Sequence, residues 1–259
     1  MARGLMEREF TQEKPAPQFY LPLQEIKDSV QLVNYPSEDF ELKGLLHLGN
    51  IDSTQKKKGL VYLHGGFALG NGDLADCSTF IQSDFIVFAP SYRGENGNPG
   101  FFEYFRGELT DAENAVNWLA EQDYTHQDSI YVFGHSIGGA MSLILSINDN
   151  CDSQLNGSSA GLYFEESLAQ LAGEENIPFD TTEQKEYNLR IPLYHLDKLQ
   201  RKHFMYVGSE DYYSEIKDLL LEGFEKPLEY FQLEEVEGDH FSSLDEAQER
   251  FVEEIKKGQ

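Results

Sequence analysis

One run in the chain restricts its fold more than any other: Tyr131-Val132-Phe133-Gly134-His135-Ser136-Ile137-Gly138-Gly139. An apolar strand ends at a serine flanked by glycines, and the chain continues as a helix. A serine on such a sharp turn has strained backbone angles. Strand and helix can then pass closely only where Gly134 and Gly138 carry no side chain. The turn lifts the Ser136 hydroxyl out of the sheet. The following stretch, Gly138 to Ile147, is expected to point a helix N-terminus, with its free N–H groups and positive dipole end, at the same spot. That is the geometry of an activated serine nucleophile, and a Gly-Ser turn of no chemical consequence is the plain alternative.

A serine of this kind needs a base, and the base needs an acid. On a sheet of this type they follow in the chain order serine, acid, histidine, each after a strand. His203-Phe204-Met205-Tyr206-Val207-Gly208 reads as a short buried strand, and it runs into Ser209-Glu210-Asp211. Asp211 is the candidate acid. Leu228 to Leu233 has strand-like content, and the loop beyond it carries Glu237-Gly238-Asp239-His240-Phe241, so His240 is the candidate base. Glu210 and Asp239 are the neighbouring alternatives.

Gly59-Leu60-Val61-Tyr62-Leu63-His64-Gly65-Gly66-Phe67 is another buried-strand pattern, ending in a His-Gly-Gly loop. Backbone amides reach an oxyanion closely where side chains are small. The two donors expected are the N–H groups of Gly66 and Ile137, with Phe67 the second choice for the first. His64 is expected to brace the loop by hydrogen bonds rather than to transfer protons. Phe67 and Tyr92 are candidate substrate-binding residues.

Two further stretches complete the pattern: Ala89-Pro90-Ser91-Tyr92-Arg93-Gly94-Glu95-Asn96-Gly97, and Gly107-Glu108-Leu109-Thr110-Asp111 with the helical run to Leu119. With the serine turn and the His-Gly-Gly loop, they make the chain resemble an α/β-hydrolase. More narrowly it is similar to the catalytic domain of prolyl oligopeptidases and their dienelactone-hydrolase-like relatives, from about Val30 onward. In that resemblance Ser136, Asp211 and His240 fall on the nucleophile, acid and base. It implies a serine hydrolase cleaving an ester or related acyl bond, with a small peptidase as runner-up and a non-catalytic binding protein of the same fold as a third reading. No metal or organic cofactor is implied. Prolyl oligopeptidases carry a large β-propeller before this domain, and 259 residues leave no room for one. Some relatives place a tyrosine hydroxyl in the oxyanion hole where this chain has His64, so here the backbone amides carry that role.

The alternation of elements predicts an α/β fold with a mostly parallel central sheet and helices on both faces. Val30–Val33 and Phe40–Leu48 are expected to form a hairpin through Pro36-Ser37-Glu38-Asp39, and Lys56-Lys57-Lys58 a solvated loop. Phe85–Ala89 reads as a buried strand. Thr110-Asp111-Ala112-Glu113 reads as a capping box opening a helix to Ala120, with the serine strand starting at Ser129. A weak strand is placed near Gln154 to Ala160. Leu244, Ala247, Phe251 and Ile255 recur at helical spacing. The whole chain, 1–259, reads as one domain, with an N-terminal extension over 1–24 that drapes over the surface and a helical cap insertion over 162–199.

A formal charge of −26 opposes binding to nucleic acid or to anionic membranes, since both would be repelled. Solubility is favoured over attraction of cationic substrates as its meaning, since the acids are scattered over surface-like helices as well as loops. No run approaches a membrane span and the start lacks a secretory signal, so a cytoplasmic location is expected, with a small-molecule ester or short peptide as the partner. Cys77 and Cys151 match no metal-ligand spacing and are expected to be free thiols.

Overall fold

The computed structural model describes residues 13, 16–17, 23, 30–49, 56–70, 72–161, 165–173, 176–215, 217 and 228–258. Eight strands form one sheet: β1 (Val30–Ser37), β2 (Phe40–His47), β3 (Lys57–Leu63), β4 (Ile86–Pro90), β5 (Thr125–His135), β6 (Leu155–Ser159), β7 (His203–Gly208) and β8 (Phe231–Val236). Their order across the sheet is β1-β2-β4-β3-β5-β6-β7-β8. The six strands from β4 to β8 in this order pair in parallel, and only β2 runs against its neighbours. Strands buried on both sides need continuous apolar runs, and the Ile86–Pro90 strand is buried at every position.

Helices cover both faces. On one side lie α2 (Gly107–Ala120) and α3 (Ile137–Leu145), and on the other α1 (Ser78–Gln82) and α6 (Leu244–Lys257). Between β6 and β7 run α4 (Glu165–Ala172), α5 (Gln184–Arg190) and a 3-10 segment, Pro192–Lys198. Each face has its own core. Val61, Phe88, Val116 and Ile144 belong to the first, and Tyr62, Phe80, Phe133 and Phe251 to the second. Alternate residues of β3 and β5 thereby feed opposite layers, as the period of two requires. On α6 the positions Leu244, Ala247, Phe251 and Ile255 are all buried.

Several boundaries differ from expectation. The capping box at Thr110 is not used. The helix starts at Gly107, and the Arg106 side chain makes no cap bond. Asp111 is instead engaged by Arg93, whose Nε and Nη2 donate to its two oxygens at 3.0 and 2.7 Å, and by Ser37 Oγ at 2.6 Å. Glu108, in the first turn, accepts the amides of Glu103 and Tyr104. Lys57 and Lys58 lie in β3 rather than in a loop, with Lys57 Nζ paired to Asp84 at 2.5 Å. The hairpin strand β1 continues through Pro36 to Ser37, leaving Glu38 (φ 50°) and Asp39 as the turn. A proline is tolerated there because β1 is the edge strand and no ladder bond is lost. The last strand begins at Phe231, not Leu228, because burial of Phe231 and Val236 fixes its register on His203 and Gly208. The serine strand starts earlier than Ser129, at Thr125, where Lys57 pairs with it.

Most of the extension 1–24 lies outside the described residues, as do Leu162, Tyr163, Phe164, Glu174 and Glu175 of the insertion. Ala16 and Leu23 are buried. Both cysteines are free and buried.

Candidate active site

Ser136 sits between β5 and α3 with φ 54° and ψ −116°, a conformation that costs a non-glycine residue of order 1–3 kcal/mol and persists only where the surroundings enforce it. The enforcement is visible. A Cβ on Gly134 would lie 2.0 Å from the Gly138 carbonyl oxygen, and one on Gly138 would lie 2.0 Å from the Leu63 carbonyl oxygen. The Ser136 N–H donates to the Ser159 carbonyl at 2.9 Å, fastening the turn to β6. Ile137 is the first residue of α3, so its N–H has no intrahelical acceptor and points outward from the helix start.

The loops after β7 and β8 meet beside this turn. Their approach depends on Gly208, where a Cβ would come within 2.4 Å of the Gly238 carbonyl oxygen. The result brings the three sequence-predicted residues together. His240 Nε2 lies 3.0 Å from Ser136 Oγ, and His240 Nδ1 lies 2.7 Å from Asp211 Oδ2. Burial works against ionisation of Asp211, yet the His240 contact and the Tyr213 amide, which donates to Oδ1 at 3.0 Å, outweigh it and hold the carboxyl below its ordinary range. The neighbouring acids are placed otherwise. Glu210 turns to solvent, and Asp239 Oδ1 accepts the amides of Phe241 and Ser242 and the Ser242 hydroxyl, which draws its pKa down to about 2.

Gly66 and Ile137 line one narrow cavity, with Phe67 and Tyr92 also in its wall. The loop that carries Gly66 abuts the serine turn, since a Cβ on Gly65 would meet His135 Nδ1 at 3.1 Å and Ser136 Cβ at 3.5 Å. His64 is buried behind it. Its Nε2 meets Glu95 Oε1 at 3.1 Å, its Nδ1 meets the Gly65 carbonyl at 3.1 Å, and its ring stacks on Tyr92 with centroids 4.9 Å apart. Burial alone would lower its pKa, but Glu95 prevails and raises it to about 9, so the imidazolium persists at neutral pH. Phe67 packs edge-on against Phe102 and Tyr104.

One positioning contact escaped the sequence reading. His135, the variable residue before the serine, meets the His240 carbonyl oxygen through Nε2 at 2.9 Å. Burial pushes its pKa down to about 4, so it is neutral and can donate that bond while holding the His240 loop. Only its position beside Ser136 could have signalled this. Among the described residues no group of histidine, cysteine or acidic side chains is arranged to hold a metal.

The sequence profile of the prolyl oligopeptidase family matches residues 73–218. A Bacillus subtilis protein described as an uncharacterized peptidase is 32% identical over 114 residues, which is 44% of this chain and 44% of that one. The aligned stretch thus spans less than half the length of that curated relative. Among solved structures, the Pyrococcus furiosus esterase Pf2001 superposes with a TM-score of 0.70 at 16% identity, covering 94% of this chain and 98% of that one. The acylaminoacyl peptidase of Pyrococcus horikoshii superposes with a TM-score of 0.63 at 16% identity, over 90% of this chain and 42% of that one. The fold is that of the α/β-hydrolases.

Proposed function

The chain belongs to the prolyl oligopeptidase family of serine hydrolases, and from that premise we propose that it transfers an acyl group to water with Ser136 as nucleophile, His240 as base and acid, and Asp211 as the orienting acid. One observation carries the reading: the His240 ring bridges Ser136 Oγ at 3.0 Å and Asp211 Oδ2 at 2.7 Å, although the three residues stand on three separate loops. In the first half-reaction the Ser136 oxygen bonds to the carbonyl carbon while its proton passes to His240 Nε2. The oxyanion is held by the amides of Gly66 and Ile137. The bond to the leaving group then breaks, and the proton moves from Nε2 to the departing oxygen or nitrogen. Water repeats the sequence on the acyl-enzyme and restores Ser136. Asp211, ionised and fixed by the Tyr213 amide, keeps the imidazole in the productive tautomer and stabilises its cation.

Carboxylic esters are the leading substrates, since an alkoxide or phenoxide leaves more readily than an amine and the His240 side of the site is an open groove. A peptidase reading has its own support in the family match and in the curated relative's description. Helix α4 contributes Ser167 and Leu171 to that groove, which favours a capping role for the 162–199 segment. The test is turnover of 4-nitrophenyl acetate and of alanyl and prolyl 4-nitroanilides by the parent and by Ser136→Ala. Ester hydrolysis lost by ~10⁴-fold or more in the folded variant is expected. Anilide hydrolysis exceeding ester hydrolysis would favour the peptidase. A folded parent inert on all of them would favour the binding protein.

A further inference from the structure

Two concavities flank the candidate triad, and their linings differ. The cavity beside the Gly66 and Ile137 amides is narrow, and its wall combines Phe67, Phe102, Phe105 and Met141 with the buried polar groups His64, Arg93, Glu95 and Glu108. The groove on the other side is open and is lined by His240, Tyr212, Phe241, Leu171, Glu210 and Asp239. Chemistry assigns the two spaces. The leaving group must take its proton from the imidazole, so it departs on the His240 side. The acyl group then belongs beside the oxyanion donors, in the narrow cavity.

Resting on the Ser136 reading above, we propose that the substrate joins a short acyl group to a cationic leaving group with an aromatic or branched apolar face, and that this leaving group binds in the groove. Three large apolar side chains stand open to water there: Leu171 is 44% exposed, Tyr212 66% and Phe241 73%. Apolar surface gathered at one place on a hydrolase, next to its base, marks a contact surface rather than chance exposure. The Phe241 ring lies edge-on to His240 with centroids 5.0 Å apart, so a group resting on Phe241 is adjacent to the proton donor. The charge of the groove selects the sign of the occupant. Glu210 and Asp239 stand on its rim, Asp239 is kept ionised by its three donors, and no lysine or arginine is among the described residues that line it. Aromatic faces flanked by carboxylates favour a quaternary or primary ammonium over a neutral or anionic group. The narrow cavity is far smaller than the groove and limits the acyl side to a few carbons.

The experiment compares 3-(trimethylammonio)phenyl, 3-tert-butylphenyl and 3-sulfonatophenyl acetates, each rate divided by that ester's hydroxide-catalysed rate to remove the effect of leaving-group basicity. All three form the same acetyl-enzyme, so kcat/KM isolates recognition of the leaving group. The normalised kcat/KM is expected to be about tenfold higher for the cation than for the neutral isostere, and lowest for the sulfonate. The cation-to-neutral ratio should fall by threefold or more in Glu210→Gln and in Tyr212→Ala, and the cationic octanoate should react far more slowly than the cationic acetate. Equal normalised values for cation and neutral ester in the parent would overturn the proposal, whatever the variants do. So would a preference that both folded variants retain in full. If fluorophosphonate labels Ser136 and the cation preference is missing, the inference alone is wrong; if Ser136 is not labelled, the reading beneath it fails first.

Discussion

Removing the charge of Glu95 should expose how the oxyanion loop is held. His64 is buried, and its pKa stands raised from the model-compound value of 6.5 to about 9 by the Glu95 carboxylate. At about 1.4 kcal/mol per pKa unit, a rise of that size is worth about 3 kcal/mol of folding stability. The direction follows from proton counting. Between pH 6.5 and 9 the folded protein keeps a proton on His64 that the unfolded chain has released, so this contribution is complete below pH 6.5 and is lost as pH rises through about 9. Glu95→Gln keeps an oxygen for the Tyr92 amide but cannot support the imidazolium. Urea unfolding of parent and variant at pH 6.5, 8 and 9.5 measures the difference, and the comparison cancels other groups that titrate in both. The stability gap should shrink by about 3 kcal/mol from the lowest to the highest pH. A gap that stays constant, or widens with pH, would show that His64 is not a cation in the folded protein. Because the His64 backbone leads directly into Gly65 and Gly66, the variant should also lose kcat on esters more than it raises KM.

Asp211→Asn should lower kcat/KM on a neutral ester by ~10³–10⁴ through loss of the charged partner of His240, while Glu210→Gln stays within a few-fold; the reverse ranking would transfer the acid to Glu210. Gly138→Ala should yield little folded protein or an unreactive one, because its Cβ would sit 2.0 Å from the Leu63 carbonyl oxygen, and normal yield with normal activity would remove the close-approach argument. His135→Phe should disorder the His240 loop by deleting the bond to the His240 carbonyl, read as a fall in kcat with KM little changed; unchanged kcat would show that His135 does not position it.

The serine turn was readable in the sequence because its requirements are local. Gly134 and Gly138 are needed within two residues of Ser136, and strand and helix follow immediately. Asp211 and His240 were singled out through chain order and strand ends, with Glu210 and Asp239 as neighbouring alternatives, and the structure places the Asp211 carboxylate against His240. The capping-box reading of Thr110 failed for a tertiary reason. The helix already begins at Gly107, so Thr110 lies inside it, and Glu113 accepts a bond from Asn148 at 2.6 Å rather than reaching back to an N-cap. Pro36 and Lys57 were misjudged because their allowed places depend on which strand lies at the edge and which carboxylate, Asp84, waits across the turn. The weak β6 strand, Leu155–Ser159, is polar in sequence yet buried from Asn156 onward. Two of its polar groups find partners only in the assembled fold, with Ser158 Oγ at 2.9 Å from His203 Nε2 and Asn156 Nδ2 donating to Ser146 Oγ at 3.0 Å, while Asn156 Oδ1 and Ser159 Oγ are buried without a partner among the described residues. Periodicity alone had little to report there.

The central claim is that Ser136 is a nucleophile activated by His240, and covalent trapping tests it most directly. The purified protein is treated with a fluorophosphonate and the adduct is located by peptide mass spectrometry. One phosphonyl group on the peptide containing Ser136 is predicted, formed at least ~10²-fold more slowly in a folded His240→Ala variant because the base no longer removes the hydroxyl proton. An unmodified Ser136 in the folded parent, or labelling at the same rate without His240, would contradict the claim.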